Sequence, residues 1–338
     1  MSKRTRVSFV AVALVAAVAV AVGLSACSAK PAPMPSQQGE ASATLSPVRI
    51  GALPNEDSLP LWVAEKQGLF KKAGLAVTIT TFPSAAERDA ALTAGSIDAE
   101  SADIIAAALL AGHGFPVRIA TIQLGATPAE GRFGIVASPK SGLTSLADLA
   151  KKGQLAQSSG TLAGYVADKL LAQAGIDPAK VKRVEVKKLP VRYDLVKTGG
   201  VPAAVLPEPL LSLAQKDGLK LLADDTKGAN ISQTVLLFSQ KYLDGSGASA
   251  SANALLNVWN EAVAAINADP NSFRALLVDK ARLPKPIADS YQISHYPTAQ
   301  QPTAQQIDEV LAWMRAQHLV GPGVTSGQFT WPGQTYQK

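Results

Sequence analysis

Residues 48–112 read VRIGALPNEDSLPLWVAEKQGLFKKAGLAVTITTFPSAAERDAALTAGSIDAESADIIAAALLAG. Strand-like runs at Val48–Leu53, Ala76–Thr80 and Ala99–Ser101 alternate here with helix-like runs. Each strand-like run empties into a short polar loop, and a helix-like run starts directly after it. That rhythm predicts an open, mostly parallel α/β sheet whose ligands sit beyond the carboxyl ends of the strands. The loops Asn55–Ser58, Pro83–Ser84 and Ser101–Asp103 are therefore expected to gather at one rim.

The rhythm continues outward. Phe115–Thr121 and Phe133–Ser138 are strand-like, and Phe133–Ser138 reads as a strand leaving a first lobe. Gln154–Gln157, Lys182–Val186, Ala203–Leu206 and Leu219–Ala223 then alternate with helices at Leu162–Ala174, Val191–Lys197 and Leu210–Lys216. Ser232–Ser239 would carry the chain back. Helices at about Ala252–Ala268, Asn271–Ala281 and Ala304–His318 follow, the last with Thr303 and Gln306 at capping-box spacing. Two crossings imply two lobes: residues 48–136, then 137–232, with 233–338 returning to the first.

The N-terminus is not part of this fold. Lys3, Arg4 and Arg6 precede an apolar run, Val7–Leu24, and then Leu24-Ser25-Ala26-Cys27. This resembles a bacterial lipobox: residues 1–26 would be a signal peptide and Cys27 the lipidated residue. An uncleaved membrane anchor is the alternative, since a span needs roughly 17–25 residues. Either way the chain is tethered outside the cytoplasm. Cys27 is the only cysteine, which rules out an internal disulfide. Residues 27–47 are rich in Pro, Ala, Ser and Gln and read as a flexible stalk. Without the three leader cations, 29 basic residues face 26 acidic ones. That balance, with no basic block, argues against nucleic acid.

PLWVAEKQGLFKKAGLAVTI, ALTAGSIDAESAD, GLTSLADLAKKGQLAQSSGTLAGYVADKLLAQAGIDPAKV and VPAAVLPEP occur in this order. Together they resemble the nitrate/sulfonate/taurine/thiamine-precursor group of ABC-transporter substrate-binding proteins. Pro202 stands where that group usually has Asp. The resemblance covers Val48 to about Asn267. It implies a two-lobed periplasmic-binding-protein type II fold, each lobe a mostly parallel sheet flanked by helices. It also implies a monomer that closes over a small polar ligand and delivers it to an ABC permease and its ATPase, with no cofactor. The alternatives are an enzyme like the pyrimidine-forming thiamine biosynthesis proteins, or a ligand-binding sensor or adaptor lipoprotein. The enzyme reading needs a rim histidine, and His113 follows the far end of its helix.

Candidate ligand residues are the small polar groups before helices, whose free N–H groups and dipole suit oxyanions: Ser58, Ser84, Ser101, Ser158, Ser159 and Thr161. Helix capping alone explains each of them equally well. Asn55 is a further candidate in the first rim loop, and Asp57, Asp103 and Glu208, with Glu56, make the rim acidic, which suits an aminated or cationic heterocycle such as a pyrimidine. A sulfonate or other oxyanion stays open on the serine evidence. Tyr165 and Tyr193 are candidates for stacking on a ring, while Arg88 and Arg192 read mainly as ion-pair or surface residues. His113, His295 and His318 fit no metal spacing, and no catalytic set has a reason for its spacing.

Overall fold

The computed structural model describes residues 44–228 and 230–335. The expected signal peptide, Cys27 and most of the stalk lie outside them. Ala43–Lys338 forms one compact unit that holds both sheets and both hydrophobic cores.

In chain order the elements are β1 (Val48–Ala52), α1 (Leu59–Lys66), α2 (Leu69–Lys72), β2 (Val77–Thr81), α3 (Ala85–Thr93), β3 (Ala99–Asp103), α4 (Ile104–Gly112), β4 (Val117–Leu124) and β5 (Phe133–Ala137). Next come α5 (Leu146–Lys152), β6 (Gln154–Gln157), α6 (Leu162–Gln173), β7 (Lys182–Glu185), α7 (Leu189–Thr198), β8 (Ala203–Pro207), α8 (Leu210–Lys216) and β9 (Lys220–Asp224). β10 (Thr234–Ser239), α9 (Gln240–Leu243), α10 (Ala248–Ala268), α11 (Arg274–Lys280) and α12 (Ala304–Ala316) complete the chain.

The strands form two five-stranded sheets, β2-β1-β3-β10-β4 and β7-β6-β8-β5-β9. Counted within each sheet, the order is the same: second, first, third, crossing strand, fourth. The crossing strand is the antiparallel one in both, β10 beside β3 and β4, and β5 beside β8 and β9. The expected break at 136/137 falls inside β5, which pairs with β8 in the second sheet from Phe133 to Ala137.

Helices cover both faces of the sheets, so β5, β8 and β10 are apolar on both sides. In β10, Leu236 and Phe238 enter one core while Val235 and Leu237 enter the other, as the two-residue period of a strand requires. One core is closed by α1, α7, α8, α10 and α11, the other by α3, α4, α5, α6 and α12. α10 is an Ala-rich helix whose Leu255, Leu256, Trp259, Ala262, Val263 and Ile266 share the buried stripe.

The lobes are joined by two crossings, residues 125–132 and 225–233. They lie backbone against backbone: a Cβ on Gly125 (φ +93°) would come within 2.9 Å of Asn230 Oδ1 and of Gln233 Cα. Asn230 Nδ2 donates to Glu130 O at 2.9 Å, and Phe133 N donates to Asp225 Oδ1 at 2.9 Å. α12 also touches both lobes. It packs beside α4 in one core, and its Trp313 Nε1 donates to Asp168 Oδ2 of α6 at 2.9 Å.

Candidate functional site

β1 ends at Ala52, and a single 3-10 turn over Glu56–Ser58 turns the chain into α1. This tight turn directs side chains inward. Asn55 Nδ2 donates to Asp57 Oδ2 at 2.7 Å, leaving Asn55 Oδ1 buried and without a partner. Glu56 is 4% exposed; its Oε2 accepts from the Tyr291 hydroxyl, and its Oε1 has no partner. Ser58 is fully buried, and its hydroxyl caps nothing and bonds to nothing. Three buried polar atoms within four residues thus await a partner, which native interiors rarely tolerate.

The third strand supplies the floor. Ser101 Oγ donates to Gln123 Oε1 at 2.7 Å, and Gln123 Nε2 donates to the Asp57 carbonyl at 3.3 Å. Asp103 caps α4 by accepting from Ala106 N at 2.8 Å. Arg88, from α3, is the buried cation of this region. It donates to Ser101 O at 2.6 Å and to Asp89 at 2.7 Å, and its Nε lies 3.3 Å from Glu100 Oε2. Its stem crosses β1 at Gly51, where a Cβ would overlap Ile97 Cδ1 and press on Arg88 Cγ at 3.1 Å.

One guanidinium among this many carboxyls leaves an excess of negative charge, and burial sharpens it. Burial lifts Glu56 to about 7, with nearby Ser294 and the Tyr291 hydroxyl pulling it down and Glu208's charge adding to the rise. Burial and the charges of Glu56 and Asp103 lift Asp57 to about 7. Glu100 rises to about 8 because burial outweighs the pull of Arg88. Burial also raises Asp103, against the Ala106 N–H that it caps.

On the second lobe, Ser159 donates from N and Oγ to Glu185 Oε2 at 2.9 and 2.8 Å, and Thr161 Oγ1 donates to Ser158 O at 2.8 Å. These bonds brace the loop before α6 and leave that helix without a side-chain cap. Glu208 follows β8. It pairs with Arg132 at 2.6 Å and accepts from Ser212 N and Oγ at 3.1 and 2.9 Å. Arg132 and Glu208 line a cavity of about 760 Å3 with Ser212, Tyr291, Ser294 and His295.

The solved structures similar to this chain share its fold. An alkanesulfonate-binding protein, SsuA, from Xanthomonas axonopodis pv. citri, bound to MOPS, is 22% identical, with 86% of this chain and 99% of that one covered and a TM-score of 0.71. The ligand-binding component of an ABC-type import system from Staphylococcus aureus, with zinc bound, is 16% identical over 85% and 97% of the chains, with a TM-score of 0.70. The periplasmic nitrate-binding protein NrtA from Synechocystis PCC 6803 is 15% identical over 85% of each chain, with a TM-score of 0.67. No curated protein sequence matches. The model of the NMT1-like family matches residues 41–278, more than half of the chain. The chain belongs to the NMT1-like family. Its fold is that of periplasmic binding proteins, and each of these three solved neighbours is a binding protein rather than an enzyme.

In this NMT1-like chain Asn55, Asp57, Ser58, Ser101 and Asp103 come together at the first-lobe rim with Glu56. Ser84 stands apart as the cap of α3, accepting from Glu87 N and donating to Glu87 Oε1 at 2.9 Å. Ser158, Ser159 and Thr161 form their own braced loop. Tyr193 is buried in α7, and its hydroxyl donates to Asp217, just past the far end of α8. Tyr165 is likewise buried, edge-on to Trp313 with centroids 5.4 Å apart. Arg192 is buried too, donating to Val186 O at 3.3 Å, and burial lowers it to about 10. Gln123, Tyr291 and Tyr296 were missed. Gln123 is a polar residue inside an apolar strand, which was a usable signal. The tyrosines lie in the irregular stretch between α11 and α12, where no periodicity marks them; Tyr296 donates to Glu56 O at 2.7 Å.

Proposed function

We propose that the chain is the solute-binding component of an ABC importer, anchored outside the cytoplasm by lipid on Cys27. It closes its lobes about residues 125–132 and 225–233 over a small cationic or aminated solute, such as an aminated heterocycle, and presents it to a permease and its ATPase. One observation carries the choice of solute. Asn55 Oδ1, Glu56 Oε1 and Ser58 Oγ are buried without partners among carboxyls that a single buried arginine serves. A donor-rich cation satisfies the acceptors and neutralises the excess charge. A sulfonate or nitrate, as named for two of the solved neighbours, would add negative charge to the same rim.

Thermal-shift titration of the Ala43–Lys338 unit with 4-aminopyrimidine, methanesulfonate and nitrate tests the solute class. A binder at a hundredfold excess over Kd stabilises by about 2.7 kcal/mol. Stabilisation by the amine that disappears in Asn55→Ala and Asp57→Asn is expected. Stabilisation by the anions alone would reverse the assignment. Anchoring is read separately, from the mass of the N-terminal peptide in the membrane fraction and from release of Cys27→Ser into the soluble one.

A further inference from the structure

The second sheet has two ends. The carboxyl ends of β6 and β8 lead to Ser158 and Glu208 at the rim. At the opposite end β6, β7, β8 and β9 begin and β5 finishes. There Gln154 pairs with Lys182, Leu155 with Ala203, and Ala137 with both Ala203 and Lys220. The chain reversals at this end bring Lys140, Lys151, Lys152, Lys180, Lys182 and Lys220 to one pole, all exposed. Lys151, Lys152, Lys180 and Lys182 line a concavity of about 340 Å3.

Their charge is answered only in part nearby, by Asp148 one turn from Lys152. Among the described residues the lysine ion pairs are those of Lys72, Lys169, Lys197 and Lys280. Two acids stand in the neighbouring turns, against six lysines, and both also hold backbone groups. Asp148 accepts from Thr144 N and Oγ1, and Asp177 accepts from Ala179 N. At the matching end of the first sheet Arg49 pairs with Asp98 and Lys72 with Glu261. Like charges held this close repel, and an anionic partner relieves the repulsion. Lysine ammonium groups suit phosphate as point charges. Six of them spread over a pole, rather than gathered in one pit, match a surface of phosphates better than a single ion.

We propose that the outer pole of the second lobe, centred on the Lys151, Lys152, Lys180 and Lys182 concavity, docks on the phosphate headgroups of an anionic phospholipid membrane. The anchored reading above explains only why a membrane would be near; the surface is tested without any lipid on Cys27. A lipid chain and a basic patch together make the two signals that hold a protein on a bilayer. The docked lobe would be held still while the first lobe moves about the crossings. Each lysine at the surface strengthens binding by roughly fivefold, and the effect fades within a Debye length.

The test is co-sedimentation of the Ala43–Lys338 unit with vesicles of phosphatidylcholine, with and without phosphatidylglycerol, at low and high salt. Binding to the anionic vesicles alone, suppressed by salt, is expected. The quadruple variant K151Q/K152Q/K180Q/K182Q should lose it by more than about 100-fold with an unchanged melting temperature. K71Q/K241Q, on the first lobe, should keep it. No binding to anionic vesicles, or equal binding by the quadruple variant, would overturn the proposal. So would release from vesicles by inorganic phosphate at constant ionic strength, which would make this a free-phosphate site. Loss of lipid at Cys27 in cells would leave all three readouts unchanged.

Discussion

Arg88→Met removes the buried cation of the first-lobe rim. Arg88 is 3% exposed and Glu100 is not exposed at all, so water cannot replace the lost charge. Breaking a buried ion pair from one side costs about 3–5 kcal/mol. That cost holds only while the carboxyls are ionised. Glu100 sits at about 8, and Glu56 and Asp57 at about 7. Below those values they take up protons and the penalty shrinks to lost hydrogen bonds, about 1–3 kcal/mol. The variant should therefore lose most stability above pH 8 and least near pH 5.5. Urea unfolding at both pH values reads this as a shift in midpoint, with an unchanged slope if the folded state stays compact. At alkaline pH a midpoint shift of about 1 M or more is expected for a slope near 3 kcal/mol/M. An equal loss at the two pH values would refute the idea that carboxylate crowding governs this rim. Arg88 serves the solute only through these carboxyls. Its loss should therefore weaken amine binding near pH 7 and spare it at higher pH, where the acids ionise anyway.

The unliganded wild-type protein should itself respond to pH. A carboxyl whose folded pKa is raised keeps its proton in the folded state after the unfolded chain has lost it, so its contribution to stability falls as pH rises from about 4.5 to about 8. Each such group contributes up to about 1.4 kcal/mol per pH unit, and saturating amine should flatten the slope in a melting series. Glu56→Gln should raise the melting temperature of the unliganded protein at pH 8 and cut amine affinity at least about tenfold; unchanged affinity would remove Glu56 from the site. Gly125→Ala, at φ +93° with the other crossing 2.9 Å away, should cost about 1–3 kcal/mol in denaturant unfolding. Trp259→Ala, in the buried stripe of α10, should cost about 3–5 kcal/mol and leave amine affinity per folded molecule unchanged.

The fold was legible because its signals are local. Alternating strands and helices, and Ser84 and Thr303 as caps, are all properties of a few adjacent residues, and the structure shows these caps in place. Asp103 was legible for the same reason, since its bond to Ala106 spans three residues. The direction of Tyr193 was not legible, because nearness to a rim loop in sequence does not orient a side chain on a helix; packing does, and it turns the hydroxyl to Asp217.

By itself the sequence determined the α/β architecture, the two lobes and the acidic character of the first rim loop. Periodicity, capping and composition act over short distances and need no tertiary contact. Tertiary structure alone decided that Tyr291 and Tyr296 reach back 235 and 240 residues to Glu56, that Arg88 is the cation in this buried acid cluster, and that Ser58 caps nothing. It also decided that lysines from four separate segments share one pole, because strand register sets which chain ends meet. Charge and unsatisfied hydrogen bonds depend on what lies nearby in space, and at Asn55–Ser58 those neighbours come from the far end of the chain. The stretch from Val48 to Gly112 supplies the acids of the first-lobe rim, and the rest of the fold buries them.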